Sequence, residues 1–226
     1  MSERLSDRPV QPGEQAPNFV LDAITREGKI SLEDFRGRNP VLVGLFRGLH
    51  CPFCRRHIVA TAQIGGALRE KGVESLTVVN TPIERARLYF RYHPLPNLLA
   101  ASDPQRASHR AFGLPTIEFT EGENDWPRKV SFDVAKSMQI ELPDELPEPM
   151  DPFTASAILN EKDRYEVTDD DERMMASGSN GQLIGQFLID REGVVRWIFT
   201  EYAEDGRNMF AAPTPNELMS AASQIA

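Results

Sequence analysis

The chain holds two cysteines, Cys51 and Cys54, within the stretch Gly44-Leu45-Phe46-Arg47-Gly48-Leu49-His50-Cys51-Pro52-Phe53-Cys54-Arg55-Arg56-His57. On a helix this spacing puts the thiols about one turn apart, close enough to make and break a disulfide between them. An apolar, β-like run from Val41 to Phe46 precedes them, and a helical run ending near Gly72 follows. Strand, Cys-x-x-Cys and helix in that order form a redox arrangement. Cys51 falls at or just before the helix N-terminus, with Pro52 at the first helical position, where a missing N–H costs nothing. First-turn N–H groups and the helix dipole stabilise a thiolate there. Arg47, His50 and Arg55 are candidates to add positive charge, and Pro52 and Phe53 to contact whatever approaches. Such settings lower a cysteine pKa from about 8.5 to roughly 3.5–7.5. Cys54 is then placed to release what Cys51 has attacked.

The same residues admit two other readings. Free cysteines are often buried and inert. A metal site drawn from Cys51, Cys54, His57 and His50 is the second, although one Cys-x-x-Cys without another pair makes a poor structural zinc site.

The elements that must position this pair follow from the rest of the chain. Its 226 residues suit one domain, 1–226, with a large insertion. Two cysteines exclude a disulfide-built scaffold, and a net charge of −9 argues against nucleic acid or an anionic membrane as partner. No run has the length of a membrane helix, and Met1 to Arg8 lacks the apolar core of a secretory signal, so a cytoplasmic location is the expectation.

Residues up to about Pro17 read as a loose, proline-spaced arm. Asn18 to Ala23 and Lys29-Ile30 read as a hairpin around Arg26-Glu27-Gly28. Ser31-Leu32-Glu33-Asp34 is a capping box opening a short helix that ends by Gly37. Val41 to Phe46 is apolar without alternation, as a central strand buried on both faces should be. Val73 to Asn80 is a second such strand. Thr81-Pro82-Ile83-Glu84 combines a capping box with proline at the first helical position. A strand over Asn97 to Ala101 and a helix from Ser102-Asp103-Pro104 to Phe112-Gly113 follow. Strands alternating with helices imply βαβ units and a largely parallel sheet.

From Leu114 to about Gln182 the chain is rich in proline and acid, as in Leu142-Pro143-Asp144-Glu145-Leu146-Pro147-Glu148-Pro149. An irregular insertion (114–182) of this length is expected to flank the active-site mouth or to contact a second subunit in a homodimer. Leu114-Pro115-Thr116 is read as a turn at its head, with a cis-proline before a strand as the alternative. Gln186 to Asp190 and Val194 to Phe199 form a closing hairpin around Arg191-Glu192-Gly193, and Thr214-Pro215-Asn216-Glu217 opens the last helix.

Val41 to Arg56, Val78-Val79-Asn80-Thr81-Pro82, Asp103 to Gly113 and Phe187 to Arg196 together resemble the peroxiredoxin-like (AhpC/TSA) branch of the thioredoxin-fold superfamily. The resemblance implies an α/β, thioredoxin-like fold. A central mixed β-sheet would be flanked by helices, with an N-terminal β-hairpin and the long insertion before the last hairpin. The sequence also departs from that family. Peroxiredoxins carry a proline and a threonine or serine seven and three residues before the peroxide-reacting cysteine. Counting from Cys51 gives Gly44 and Gly48; counting from Cys54 gives Arg47 and Cys51. The family's arginine ahead of the closing hairpin is replaced by Leu183-Ile184-Gly185-Gln186. What remains is a peroxiredoxin frame holding a thioredoxin-type pair.

The resemblance and the spacing together imply a thiol–disulfide oxidoreductase or thiol-dependent antioxidant protein. Cys51 attacks and Cys54 resolves. No metal or organic cofactor is called for, and reducing equivalents would come from a thioredoxin-, glutaredoxin- or glutathione-type reductant. A thiol peroxidase acting on hydrogen peroxide or organic hydroperoxides, with Cys54 attacking, is the rival. A redox-inactive scaffold on the same fold is the reading from another class.

Overall fold

The computed structural model describes residues 8–202 and 209–225. Residues 1–7, on which the expectation of no secretory signal rests, lie outside the described residues.

β1 (Val20–Ala23) and β2 (Lys29–Ser31) form the N-terminal hairpin. A 3-10 turn over Leu32–Asp34 follows, with the expected capping box between Ser31 and Asp34. Then come β3 (Val41–Phe46), α1 (Pro52–Glu70), β4 (Glu74–Val79), α2 (Ile83–Tyr92), β5 (Ala100–Ser102) and α3 (Ala107–Ala111). The 114–182 segment carries β6 (Glu118–Thr120), β7 (Lys129–Ser131), α4 (Phe132–Ser137), α5 (Pro152–Lys162) and α6 (Asp169–Ala176). β8 (Gly185–Ile189), β9 (Val195–Thr200) and α7 (Pro215–Ala222) close the chain.

Seven strands form one mixed sheet in the order β2-β1-β5-β4-β3-β8-β9. β3 is its centre, parallel to β4 and antiparallel to β8. Both faces of β3 are covered, which is why its sequence shows no alternation. Val41, Val43 and Leu45 pack with Phe19, Phe112 and Phe187. On the other face Leu42 meets Leu68 of α1 and Leu218 of α7, and Phe46 packs with Phe53 and Ile58 of α1. Gly44 is required within the strand because Phe46 folds back over it; a Cβ there would lie 2.4 Å from the Phe46 ring.

Four expectations are corrected. The sheet is not largely parallel: only β3–β4 and β4–β5 pair in parallel, and its other four pairings are antiparallel. Residues 8–17 are not a loose arm. Val10 is fully buried and its N–H donates to the Phe112 carbonyl at 3.0 Å, while Gly13, Glu14 and Ala16 bond along the closing hairpin. The strand expected over Asn97 to Ala101 starts later, at Ala100, after a left-handed backbone at Asn97 (φ 60°). The insertion is not irregular throughout: it carries two strands and three helices, and some of its prolines and acids sit where those helices begin. Asp151 caps α5 through the Phe153 and Thr154 N–H groups, with Pro152 in the first turn, and Thr168 and Asp171 form a capping box on α6. Its two strands pair only with each other, outside the main sheet, and the Leu114–Pro115 bond is trans.

No described helix is long and apolar enough to cross a membrane.

Phe112 is fully buried, with ring centroids 4.7 Å from Phe187 and 6.3 Å from Phe19. Phe112→Ala should cost about 3–5 kcal/mol in urea unfolding. Because Phe112 packs on the sheet face away from the cysteines, the pH midpoint of Cys51 alkylation should not move.

Candidate active site

The loop from Arg47 to His50 leaves the carboxyl end of β3 and delivers the chain to the start of α1. Two contacts fix it. The Thr81 hydroxyl accepts the Leu49 N–H at 2.8 Å, and Cys51 N–H donates to the Gly48 carbonyl at 3.0 Å. Thr81 was expected to cap α2; instead Pro82 holds the cap position without a side-chain bond, and Thr81 is spent on the cysteine loop. Gly48 is needed there because a Cβ would lie 2.6 Å from the His50 ring.

Cys51 is the N-cap of α1, and its Sγ accepts the Cys54 N–H at 3.4 Å. Cys51 is 7% exposed and Cys54 is fully buried; both are free thiols. Burial pushes the Cys51 thiol up, but the Cys54 thiol, the Arg47 guanidinium and the Cys54 N–H outweigh it and bring the pKa down to about 6. Burial drives the Cys54 thiol well above its ordinary value, and its hydrogen bond to Cys51 adds to this. At neutral pH the pair is therefore one thiolate over one thiol.

The positive charge comes from Arg47. It is buried and pairs twice with Glu201, Nη1 to Oε1 at 3.1 Å and Nη2 to Oε2 at 2.6 Å. Burial opposes its charge, yet Glu201 and the two sulfurs hold its pKa above the usual arginine value. Glu201 also accepts the N–H groups of Ile184 (3.0 Å) and Phe210 (2.8 Å). The sequence departs from the family ahead of β8; an arginine nevertheless stands beside both sulfurs, supplied from the loop after β3.

The other basic side chains of this stretch are either neutral or paired with carboxylates. Burial pushes His50 and His57 down to about 4, so both are neutral at pH 7. Arg55 donates to the Leu49 carbonyl (2.6 Å), Asn160 (2.8 Å) and Asp163 (2.6 Å), and its guanidinium lies 4.3 Å from the Tyr165 ring centre. Arg56 binds Glu145 and Asp163. These two arginines fasten the insertion onto α1. Pro52 and Phe53 line a cavity of about 310 Å³ that opens before Cys51. A larger groove of about 630 Å³, lined by residues of α1, α2 and the insertion, reaches neither cysteine. Among the described residues, no three His, Cys, Asp or Glu side chains converge as a metal site.

Residues 12–141, more than half the chain, match the AhpC/TSA family. The chain belongs to the AhpC/TSA family. No curated protein sequence matches it. Among solved structures, peroxidoxin BcpB from Mycobacterium tuberculosis is 12% identical with a TM-score of 0.56, covering 96% of this chain and 99% of its own. The reduced 2-Cys peroxiredoxin of Plasmodium vivax is 16% identical with a TM-score of 0.57, covering 95% of this chain and 81% of its own. At such identity the likeness shows the thioredoxin-like fold. Family and fold together support a thiol oxidoreductase or peroxidase.

Sequence reasoning missed Glu201 in this AhpC/TSA protein. The available signal was its place, one residue beyond an apolar strand, as Arg47 is one residue beyond β3. β3 and β9 both run antiparallel to β8, so their carboxyl ends meet at one edge of the sheet.

Arg47→Gln should raise the pH midpoint of Cys51 alkylation above about 6. It should also cost about 3–5 kcal/mol, because Glu201 is left buried without its partner. Arg55→Gln should leave the midpoint in place. Profiles of iodoacetamide alkylation against pH separate the two.

Burial also pushes His109 down to about 4, as it does His50 and His57. A base whose pKa is depressed by folding stabilises the fold above its unfolded pKa, and that stability is lost as pH falls toward the folded value. Each histidine should therefore remove about 2 kcal/mol at most between pH 7 and pH 5. Urea midpoints of the reduced protein should fall over that range, and less so in His57→Phe.

Proposed function

We propose that the chain is a thiol–disulfide oxidoreductase in which Cys51 attacks and Cys54 resolves. The observation that carries this reading is the asymmetry of the pair. Cys51 caps α1 with a lowered pKa beside Arg47, and Cys54 lies covered beneath it with a raised one. Thiolate character and access both favour Cys51. The Cys51 thiolate attacks one sulfur of a disulfide, that S–S bond breaks, and the other sulfur leaves as a thiolate. Cys54 then gives up its proton and attacks the Cys51 sulfur. The second thiolate is released, and the Cys51–Cys54 disulfide remains. A thioredoxin-, glutaredoxin- or glutathione-type dithiol or thiol pair returns two electrons. We read residues 1–226 as one domain, with 114–182 inserted over the pair.

Peroxidase activity is the second reading, favoured by family membership and by the Arg47 charge next to both sulfurs. In this case the Cys51 thiolate takes the outer oxygen of a hydroperoxide and an alcohol or water leaves. The resulting sulfenic acid condenses with the Cys54 thiol and releases water. The burial of Cys54 argues against the register in which Cys54 attacks.

Cys54→Ser incubated with an oxidised disulfide substrate should accumulate a mixed disulfide through Cys51. Cys51→Ser should form none. Non-reducing electrophoresis and mass spectrometry report both. A complex through Cys54 would reverse the assignment. No complex with either variant, and no disulfide in the oxidised wild type, would leave the scaffold reading.

A further inference from the structure

The cavity before Cys51 is built by the insertion as much as by the thioredoxin-like frame. Phe53 of α1 and Phe210 form one wall, with ring centroids 5.4 Å apart. Phe119, Phe132 and Phe153 form the other. They come from β6, α4 and α5 and meet as a trio, with centroids 5.9 Å (Phe119–Phe132), 6.0 Å (Phe119–Phe153) and 6.0 Å (Phe132–Phe153) apart. An aromatic trio is more often a small core than a binding surface. Here, however, none of the three rings is buried, Phe153 is 37% exposed, and all three face the space in front of Cys51.

The charge of the cavity is equally specific. Two ionised side chains line it: Arg47, which Glu201 pairs through two hydrogen bonds, and the Cys51 thiolate itself. His50 is neutral, and the Asn160 side-chain oxygen Oδ1 accepts from Arg55. An anionic group would lose its hydration here without gaining a free counter-charge, and the single negative charge that a cation could meet, the Cys51 thiolate, is consumed when it attacks. A volume of about 310 Å³ is at the small end of ligand sites.

We propose that Phe119, Phe132 and Phe153 determine specificity. The substrate carries a compact, neutral aromatic or branched-alkyl group next to the atom that Cys51 attacks, as in an apolar organic disulfide or an apolar organic hydroperoxide. This rests on Cys51 being the nucleophile, and the covalent steps are those given above.

Two measurements test it. The first needs no chemistry at the thiols: binding of 2-phenyl-2-propanol, an unreactive mimic, to Cys51→Ser/Cys54→Ser, followed by NMR. Shifts should map to the phenylalanine walls, and Phe153→Ala or Phe132→Ala in that background should weaken binding about tenfold. The second is the rate of oxidation of the reduced wild-type pair. Cumene hydroperoxide should outpace hydrogen peroxide, or dibenzyl disulfide should outpace oxidised glutathione, and the faster pair identifies the reacting bond. Phe153→Ala should lower that selectivity ratio about tenfold. Phe153 is partly exposed, so this variant should fold, and a far-UV spectrum and thermal midpoint check it. Equal rates for apolar and hydrophilic members, or ratios and mimic binding untouched by both substitutions, would overturn the proposal. A pair that no substrate oxidises while the mimic still binds would defeat the oxidoreductase reading and leave the pocket standing.

Discussion

The site depends on one buried ion pair. Arg47 and Glu201 are both withdrawn from water, which costs several kcal/mol for each ion unless geometry and further hydrogen bonds compensate. Compensation is visible at every atom of the carboxylate. Each oxygen of Glu201 accepts one Arg47 N–H and one backbone N–H, from Phe210 or from Ile184. Four segments therefore converge on it: the loop after β3, the strand entry before β8, the end of β9, and Phe210. Phe210 is held at φ 67°, a left-handed conformation that is unusual for a bulky residue, with its N–H directed at the carboxylate. The Arg47 guanidinium lies 5.3 Å from the Phe210 ring centre, so the same cation sets the sulfur electrostatics and one wall of the cavity.

Two arginines further along α1 look equally suited to stabilise a thiolate and do something else. Arg55 joins the Leu49 carbonyl to Asp163, and Arg56 joins Asp163 to Glu145. Burial would raise the Asp163 pKa, yet its hydrogen bonds to Arg56 and Arg55 hold it below the usual carboxylate range, so the clamp is ionised at neutral pH. These are long-range contacts between the first turns of α1 and the end of α5. They bring the insertion over the cysteines and fix which aromatic side chains face them. Acidic residues of the stretch that reads as an irregular insertion in the sequence are in part the counter-ions of this clamp.

The sequence alone determined the elements whose signals are local. Cys51 and Pro52 at a helix start, the Ser31 and Thr214 capping boxes, the glycine turn at Gly193 (φ 83°) and the doubly buried β3 depend on neighbours within a few residues. The signals for α5 and α6 were equally local, at Asp151-Pro152 and Thr168-x-x-Asp171, but were masked by the surrounding density of proline and acid. The tertiary structure decided where each charge and hydroxyl is used. Thr81 leaves a helix cap for a loop N–H; Arg55 leaves the thiolate for an aspartate more than a hundred residues away; Glu201 finds Arg47 across two strand pairings. A long polar side chain reaches many partners, and desolvation rather than sequence spacing selects among them. That choice exists only once the sheet has brought its carboxyl ends to one edge.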